Sequence, residues 1–305
     1  MREVLSTYLS AKAKQDPNLY VFSGDHGYAL FDTIRKQTPD QFINVGVSEQ
    51  AMVGYAAGMV KEGMKAFVYG LAAFIPIRVL EFIKMDVCYD NLPIIFLGDG
   101  AGLVYANLGA SHQCAEDISS LRALPNIKIY SPADSYEMQA CLDHAYHSPF
   151  PSYIRIGKSD KARVHTSDFP LVSDRLLLIK NYPTKNCIVA TGSMLSVALE
   201  LSEKYKITVF SAPSLTDLNA ERLLLDLSPF DKIISMEEHS IQGGLGSILT
   251  ELIMQSVVQK KQQLLRIGIR NRFTQKCGSY EYAMMEHGLD FASVENELLE
   301  KSMLI

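Results

Sequence analysis

The sequence predicts an α/β protein of two domains, each a mainly parallel sheet flanked by helices. Three observations carry that prediction. Strand-like and helix-like segments alternate through the first half, the pattern loosens into polar, proline-marked chain from Gly157 to about Lys185, and a second alternation follows. Alternation of this kind reads as strand–helix–strand units on a parallel sheet. The expected boundaries are 1–160 for the first domain, 161–185 for a linker and 186–305 for the second.

In the first domain the strand candidates are "LYVF" (19–22), "QFINV" (41–45), "AFVYG" (66–70), "PIIFL" (93–97), "IKIY" (127–130) and "SYIRI" (152–156). Helices are expected over about 3–14, 48–62, 76–90, 115–123 and 134–147. In the second domain "CIVAT" (187–191), "ITVF" (207–210), "KIISM" (232–236) and "LLRIGI" (264–269) read as strands. Helices are expected from about 193, near 219–227 and after "GGLG".

Composition excludes several classes. A length of 305 residues with 48% hydrophobic and 21% charged residues is ordinary for a globular chain. A net charge of −5 and the lack of a basic stripe argue against a nucleic-acid surface. Five scattered cysteines without a CxxC pair predict neither a disulfide framework nor a zinc site. The longest apolar stretch, "VYGLAAFIPIRVLEFI", carries Arg78 and Glu81 and is too short for a bilayer. The amphipathic N-terminus lacks an apolar signal core, so a soluble cytoplasmic protein is expected.

One turn stands out. "NVGVSEQAMVGYAAGMVKEG" (44–63) runs from a strand through Ser48 into a helix that opens on Glu49 and is otherwise small and apolar. Ser48 as a cap and an acid in the first turn suit any helix start. The residues Gly54, Ala56, Ala57 and Gly58 permit close approach of another backbone, from this chain or from a second subunit.

Together with "GASHQCAEDISSLRALPNIKIYSPAD" (109–134) and "EEHSIQGGLGS" (237–247), this stretch resembles the C-terminal half of transketolase. Split and archaeal-type transketolases are the nearest in kind, with 1-deoxyxylulose-5-phosphate synthase as a relative. The resemblance covers nearly the whole chain and implies a pyrimidine-binding domain followed by a transketolase C-terminal-like domain. It implies thiamine diphosphate as cofactor, with Mg²⁺ held mainly by an N-terminal diphosphate-binding partner subunit in an α2β2 assembly. The implied activity is transfer of a two-carbon ketol or acyl unit from a ketose or 2-oxoacid donor to an aldehyde acceptor. The β-subunit of a 2-oxoacid dehydrogenase E1 and a catalytically silent scaffold are the competing readings; "SHQ" and "LPNI" favour transketolase.

The same resemblance assigns residues one by one. Glu49 matches the glutamate that hydrogen-bonds N1′ of the aminopyrimidine, and His112 the active-site histidine that contacts substrate and can shuttle protons. Phe74 matches the aromatic that stacks on the pyrimidine, with Ile77 and Asp25 grouped as further cofactor contacts. Arg2, His26, Arg155 and Lys158 are the substrate candidates, and no metal ligand is assigned. "GDGAG" (98–102) with Asn126 copies the diphosphate–metal motif only superficially, and "QGGLG" (242–246) is read as packing rather than an anion cradle. Three positions depart from a typical transketolase. Gly100 replaces a second histidine, Leu108 an aspartate that reads a donor hydroxyl, and Ala29 a phosphate-binding serine. Buried polar readout discriminates strongly, so these changes point to substrates other than the standard pentose phosphates.

Overall fold

The computed structural model describes residues 1–27, 29–158, 164–171, 173–255 and 262–304. Helix α1, Arg2–Gln15, leads into a six-stranded parallel sheet. Its strands are β1 (Leu19–Ser23), β2 (Phe42–Asn44), β3 (Lys65–Leu71), β4 (Ile95–Asp99), β5 (Lys128–Tyr130) and β6 (Ser152–Ile156). The order is β2-β1-β3-β4-β6-β5. The central strands β4 and β6 are buried at every position, as expected when helices cover both faces. The chain first adds β2 on one side of β1 and then crosses to add β3 on the other. That reversal opens a crevice at the carboxyl ends of β1 and β3, where ligands of doubly wound sheets bind.

The helices are α2 (Asp32–Gln37), α3 (Glu49–Lys61), α4 (Leu80–Phe82), α5 (Asp117–Arg122) and α6 (Ser135–His147). The regular helix expected over 76–90 is replaced by a 3₁₀ turn at Ile77–Val79, the short α4 and a π-helical turn at Ile83–Cys88. Pro76 stands at its start and offers no backbone donor. In α3, Ala56 and Ala57 pack inward, whereas a Cβ on Gly54 or Gly58 would meet nothing within 4 Å. Packing within this chain therefore explains the alanines but not the two glycines.

The second sheet contains β7 (Leu177–Lys180), β8 (Asn186–Ala190), β9 (Thr208–Ser211), β10 (Lys232–Ser240) and β11 (Gln263–Ile269). Its order is β11-β10-β8-β9-β7, parallel except for the edge strand β7, which lies inside the stretch expected as linker. Around it lie α7 (Leu195–Tyr205), α8 (Ala220–Leu227), α9 (Leu245–Met254), α10 (Tyr280–Glu286) and α11 (Phe291–Glu300). The Glu237 carboxylate accepts from Leu245 N at 2.7 Å and Gly246 N at 2.9 Å. The anion at the start of α9 is thus internal, and "QGGLG" is occupied by the protein's own side chain. No helix among the described residues is long and apolar enough to cross a membrane, and all five cysteines are free.

Arg155, on β6, joins the domains. It is 2% exposed and its Nε donates to Asp117 Oδ2 at 2.8 Å, while Nη2 donates to the backbone oxygens of Glu238 at 2.6 Å and Cys114 at 3.4 Å. Tyr153 donates to the same Asp117 carboxylate at 2.8 Å. The substrate role expected for Arg155 is corrected here, because its guanidinium is spent on the domain junction.

The chain between the domains is pinned at Asp134. One Asp134 oxygen caps α6 through Tyr136 N and Glu137 N; the other accepts from Val164 N, His165 N and the His165 ring at 3.2 Å. Burial would raise the Asp134 pKa, but His165 and the backbone donors hold it at about 2. Burial opposes charge on His165 as well, yet the Asp134 hydrogen bond raises its pKa.

Two outcomes test this architecture. Arg155→Met should cost about 3–5 kcal/mol in denaturant unfolding, because it strands a buried carboxylate, and the double change with Asp117→Leu should recover much of the loss. A loss below about 1 kcal/mol would remove Arg155 from the junction role. The His165 contribution is complete below its unfolded pKa of about 6.5 and fades as pH rises through the folded value. Asp134 keeps its side of the pair ionised down to about pH 2. The destabilisation caused by His165→Gln should therefore be larger at pH 5.5 than at pH 8 by about 1 kcal/mol, read from paired melts.

Candidate active site

Four chain segments converge on the crevice. The turn after β2 delivers Glu49, the loop after β1 delivers Asp25 and His26, the loop after β3 delivers Phe74 and Arg78, and β4 ends on Asp99. Glu49 opens α3 and is 3% exposed. Ser48 makes no side-chain cap, contrary to expectation; the helix start is closed by Met52 N donating to Ser48 O at 2.9 Å.

Arg78 is the residue that links this cluster. Its Nη1 donates to Glu49 Oε2 at 3.1 Å while its guanidinium lies 4.1 Å from the Phe74 ring centroid. His112 is a further neighbour of Phe74, edge-on at 5.5 Å between centroids. Sequence alone used Arg78 only as a charge that excludes a bilayer span, although its place four residues after Phe74 in an apolar run was a usable signal. Its side chain is 44% exposed, so it can leave Glu49 without breaking the core. Ile77, the neighbouring residue, is exposed on the same turn.

His26 lies 5.6 Å from Tyr69 between ring centroids, and its buried Nε2 has no hydrogen-bond partner. Burial lowers its pKa while Glu49 pulls the other way, and the net shift is downward. The ring is therefore neutral at neutral pH and can accept or donate one bond. His112 holds Ser111 Oγ at 2.9 Å through Nδ1.

A second cluster adjoins the first. Tyr69 donates to Asp99 Oδ2 at 2.6 Å, and Arg2 Nη2 lies 3.2 Å from the same oxygen. Burial pushes the Tyr69 hydroxyl pKa up, which keeps it a donor. The Asp99 of "GDG" is thus engaged by protein groups, and Asn126 donates to Cys88 O at 3.2 Å. Gly100 has φ +73°, and a Cβ there would collide with the Tyr105 ring. Tyr105 fills the space a larger residue at position 100 would need. Ala29 also has positive φ, +64°, and Leu108 is half-exposed. Asp25 is exposed at the end of β1, and Lys158 sits past β6 with its ammonium 6.0 Å from the Tyr280 ring of the second domain.

The donor set fits the pyrimidine half of thiamine diphosphate: a buried carboxylate, an aromatic face and an orphaned imidazole nitrogen share one crevice. Among the described residues no group of three or more His, Cys, Asp or Glu side chains gathers to hold a metal.

Comparison with known proteins agrees with this geometry. Residues 1–162 match the model of the transketolase pyrimidine-binding domain, and residues 178–294 that of the transketolase C-terminal domain. The chain is 31% identical over 264 residues to one subunit of the apulose-4-phosphate transketolase of Actinobacillus succinogenes, covering 85% of this chain and 84% of that protein. It is 32% identical over 264 residues to the 1-deoxy-D-xylulose-5-phosphate synthase of Haemophilus influenzae (strain PittGG), covering 86% of this chain but 41% of the relative. A split-gene transketolase described as an inactive β4 tetramer superposes with a TM-score of 0.86 at 28% identity, covering 98% of each chain.

The tight fit of Tyr105 over Gly100 has a measurable consequence. Gly100→Ala should destabilise the chain by about 2 kcal/mol, through positive φ and overpacking together. Adding Tyr105→Ala should return the packing share and leave the backbone share. Equal stability of Gly100→Ala and the parent in urea would remove both shares, the backbone strain and the Tyr105 contact.

Proposed function

This chain belongs to the transketolase family, and from that premise we propose that it is the pyrimidine-binding subunit of a split, thiamine-diphosphate-dependent transferase completed by a separate diphosphate-binding subunit. The observation that carries the reading is Glu49, a nearly inaccessible carboxylate at the sheet's switch point beside Phe74, His26 and His112. When bound, thiamine diphosphate supplies the electron sink for cleaving the bond beside a donor carbonyl.

The chain's own contribution is to hold and charge the pyrimidine. Glu49 would keep a proton shared at N1′, in a crevice from which water is largely excluded. Phe74 would offer its face and His26 Nε2 one hydrogen bond. Arg78 bonds Glu49 and covers Phe74, so it has to yield for a ring to use both. His112, at the edge of Phe74, is placed to move protons on the substrate side. Mg²⁺ and the diphosphate are assigned to the partner subunit, in an α2β2 assembly whose contact includes the open Gly54–Gly58 face of α3.

The reacting groups are a two-carbon donor and an aldehyde acceptor. The donor is not a standard pentose phosphate, because Tyr105 over Gly100, the half-exposed Leu108 and the strained Ala29 replace polar grips on a hydroxylated donor. The relative named for apulose 4-phosphate is an instance of a subunit of this kind acting on another sugar.

The test is reconstitution with the N-terminal subunit encoded by the same organism. Glu49→Gln should lower proton–deuteron exchange at the cofactor's C2 by at least about 100-fold while assembly by gel filtration is unchanged. Unchanged exchange would end the assignment. In the same preparation xylulose 5-phosphate should turn over far below the tens per second of a good enzyme.

A further inference from the structure

A cavity of about 650 Å³ lies between the domains, behind the loop that carries His112. That is a small-molecule volume. Gln113, directly after His112, forms part of one wall; Arg270, Arg272, Phe273, Thr274 and His287 of the second domain form the other. A short polar relay joins the walls, with the Thr274 hydroxyl 2.5 Å from Gln113 Oε1 and 2.9 Å from His287 Nε2.

The relay fixes which atoms remain unused. With Thr274 donating to the amide oxygen, His287 carries its proton on Nε2 and donates to Thr274, a tautomer assigned from the network. Its Nδ1 is then an acceptor. That Nδ1 has no partner in a residue only 5% exposed, and Gln113 Nε2 is a buried donor that also lacks one. Burial, reinforced by Arg272, lowers the His287 pKa, so the ring stays neutral and Nδ1 stays an acceptor at neutral pH. Buried groups left unsatisfied are costly, and both belong to residues that line the cavity, so a small turn of either side chain would present an unmet hydrogen-bonding atom to a ligand there.

Charge defines that ligand further. Arg272 donates to the backbone carbonyl of Glu286, which takes a hydrogen bond without cancelling the guanidinium charge. Arg270 stands two residues away and is paired with Glu297. The larger cavity, about 1040 Å³ beside Lys128 and His144, shows no such deficit: Lys128 is paired with Asp217 and His144 with the Tyr130 hydroxyl.

We propose that the interdomain cavity is a second ligand site, for a small hydroxylated anion bearing a phosphate or a carboxylate. The anionic group lies against Arg272, a hydroxyl donates to His287 Nδ1, and a further oxygen accepts from Gln113 Nε2. Occupancy ties the His112 loop to the second domain through Gln113. The proposal does not depend on the transferase reading, since binding is measured on the chain without cofactor or partner.

Glycerol 3-phosphate and glycerate are the probes, with glycerol as the uncharged control. Calorimetry on the full chain should show saturable millimolar or tighter binding of at least one anion, with the His287 ring resonances shifting along the same isotherm. The preferred probe identifies the anionic group. Arg272→Gln, an exposed change that leaves the fold intact, should weaken binding by about tenfold, and Gln113→Met by about as much. No saturable binding of either anion, glycerol binding as well as they do, or affinities unmoved by both substitutions would each overturn the proposal.

Discussion

A single buried cation organises this molecule. Arg155 projects from a central strand into the junction of two domains, where an unpaired guanidinium would be prohibitively costly. Its partners are therefore obligatory, and they come from three places: Asp117 at the start of α5, Cys114 O at the end of the His112 loop, and Glu238 O on β10. Satisfying one charge fixes the loop, the helix and the second domain at once. The neighbouring chain is built to the same end. Glu238 accepts from Leu103 N at 2.6 Å and from the Tyr280 hydroxyl at 2.5 Å, and His239 Nε2 lies 3.3 Å from Ser119 N.

The crevice depends on that fixity. Glu49 and Phe74 come from the turns after β2 and β3, which the parallel sheet places on either side of β1. His112 comes from a loop without regular structure, whose far end is held by the Arg155 junction, the Gly102–Cys114 bridge and the Thr274–Gln113 hydrogen bond. The two sources meet at the Phe74–His112 ring contact. A rigid sheet thus supplies the carboxylate and the aromatic face, while the interdomain junction supplies the histidine. Arg78 rests across Glu49 and Phe74, neutralising a buried carboxylate that would otherwise face the crevice alone.

Most of the frame was legible in the sequence because short apolar runs bounded by turns are what parallel strands require. All six strand segments of the first domain, the helix behind Glu49 and the two-domain division could be read that way. β7 was not, since its pattern alternates on an exposed edge within polar chain. Helices α10 and α11 follow a polar stretch that offered no strand to anchor them. The site was partly legible: Glu49, Phe74 and His112 do share a crevice. Arg155 was misplaced although "SYIRI" held the clue, for an arginine between two isoleucines of an inner strand has to be a paired, buried one. Tyr105 and His287 were invisible for another reason. Each matters through a neighbour that is distant in sequence or conformationally unusual, and pattern reading sees neither.

The departures from the family pattern gain meaning from packing. Gly100 reads in the sequence as a lost histidine, which suggests an emptier crevice. The structure gives the opposite, because the Tyr105 ring stands over the position and its hydroxyl approaches the Asp99–Arg2 pair. Where the resemblance implies an imidazole, this chain presents a phenol whose pKa is raised by burial and by Asp99, which keeps it a neutral donor. Arg2, tied to Asp99 and near Tyr69, is likewise drawn into the wall of the crevice. Under the proposed transferase reading, walls of this kind would sort donors by shape and by a few fixed donors around an intact central carboxylate, Glu49.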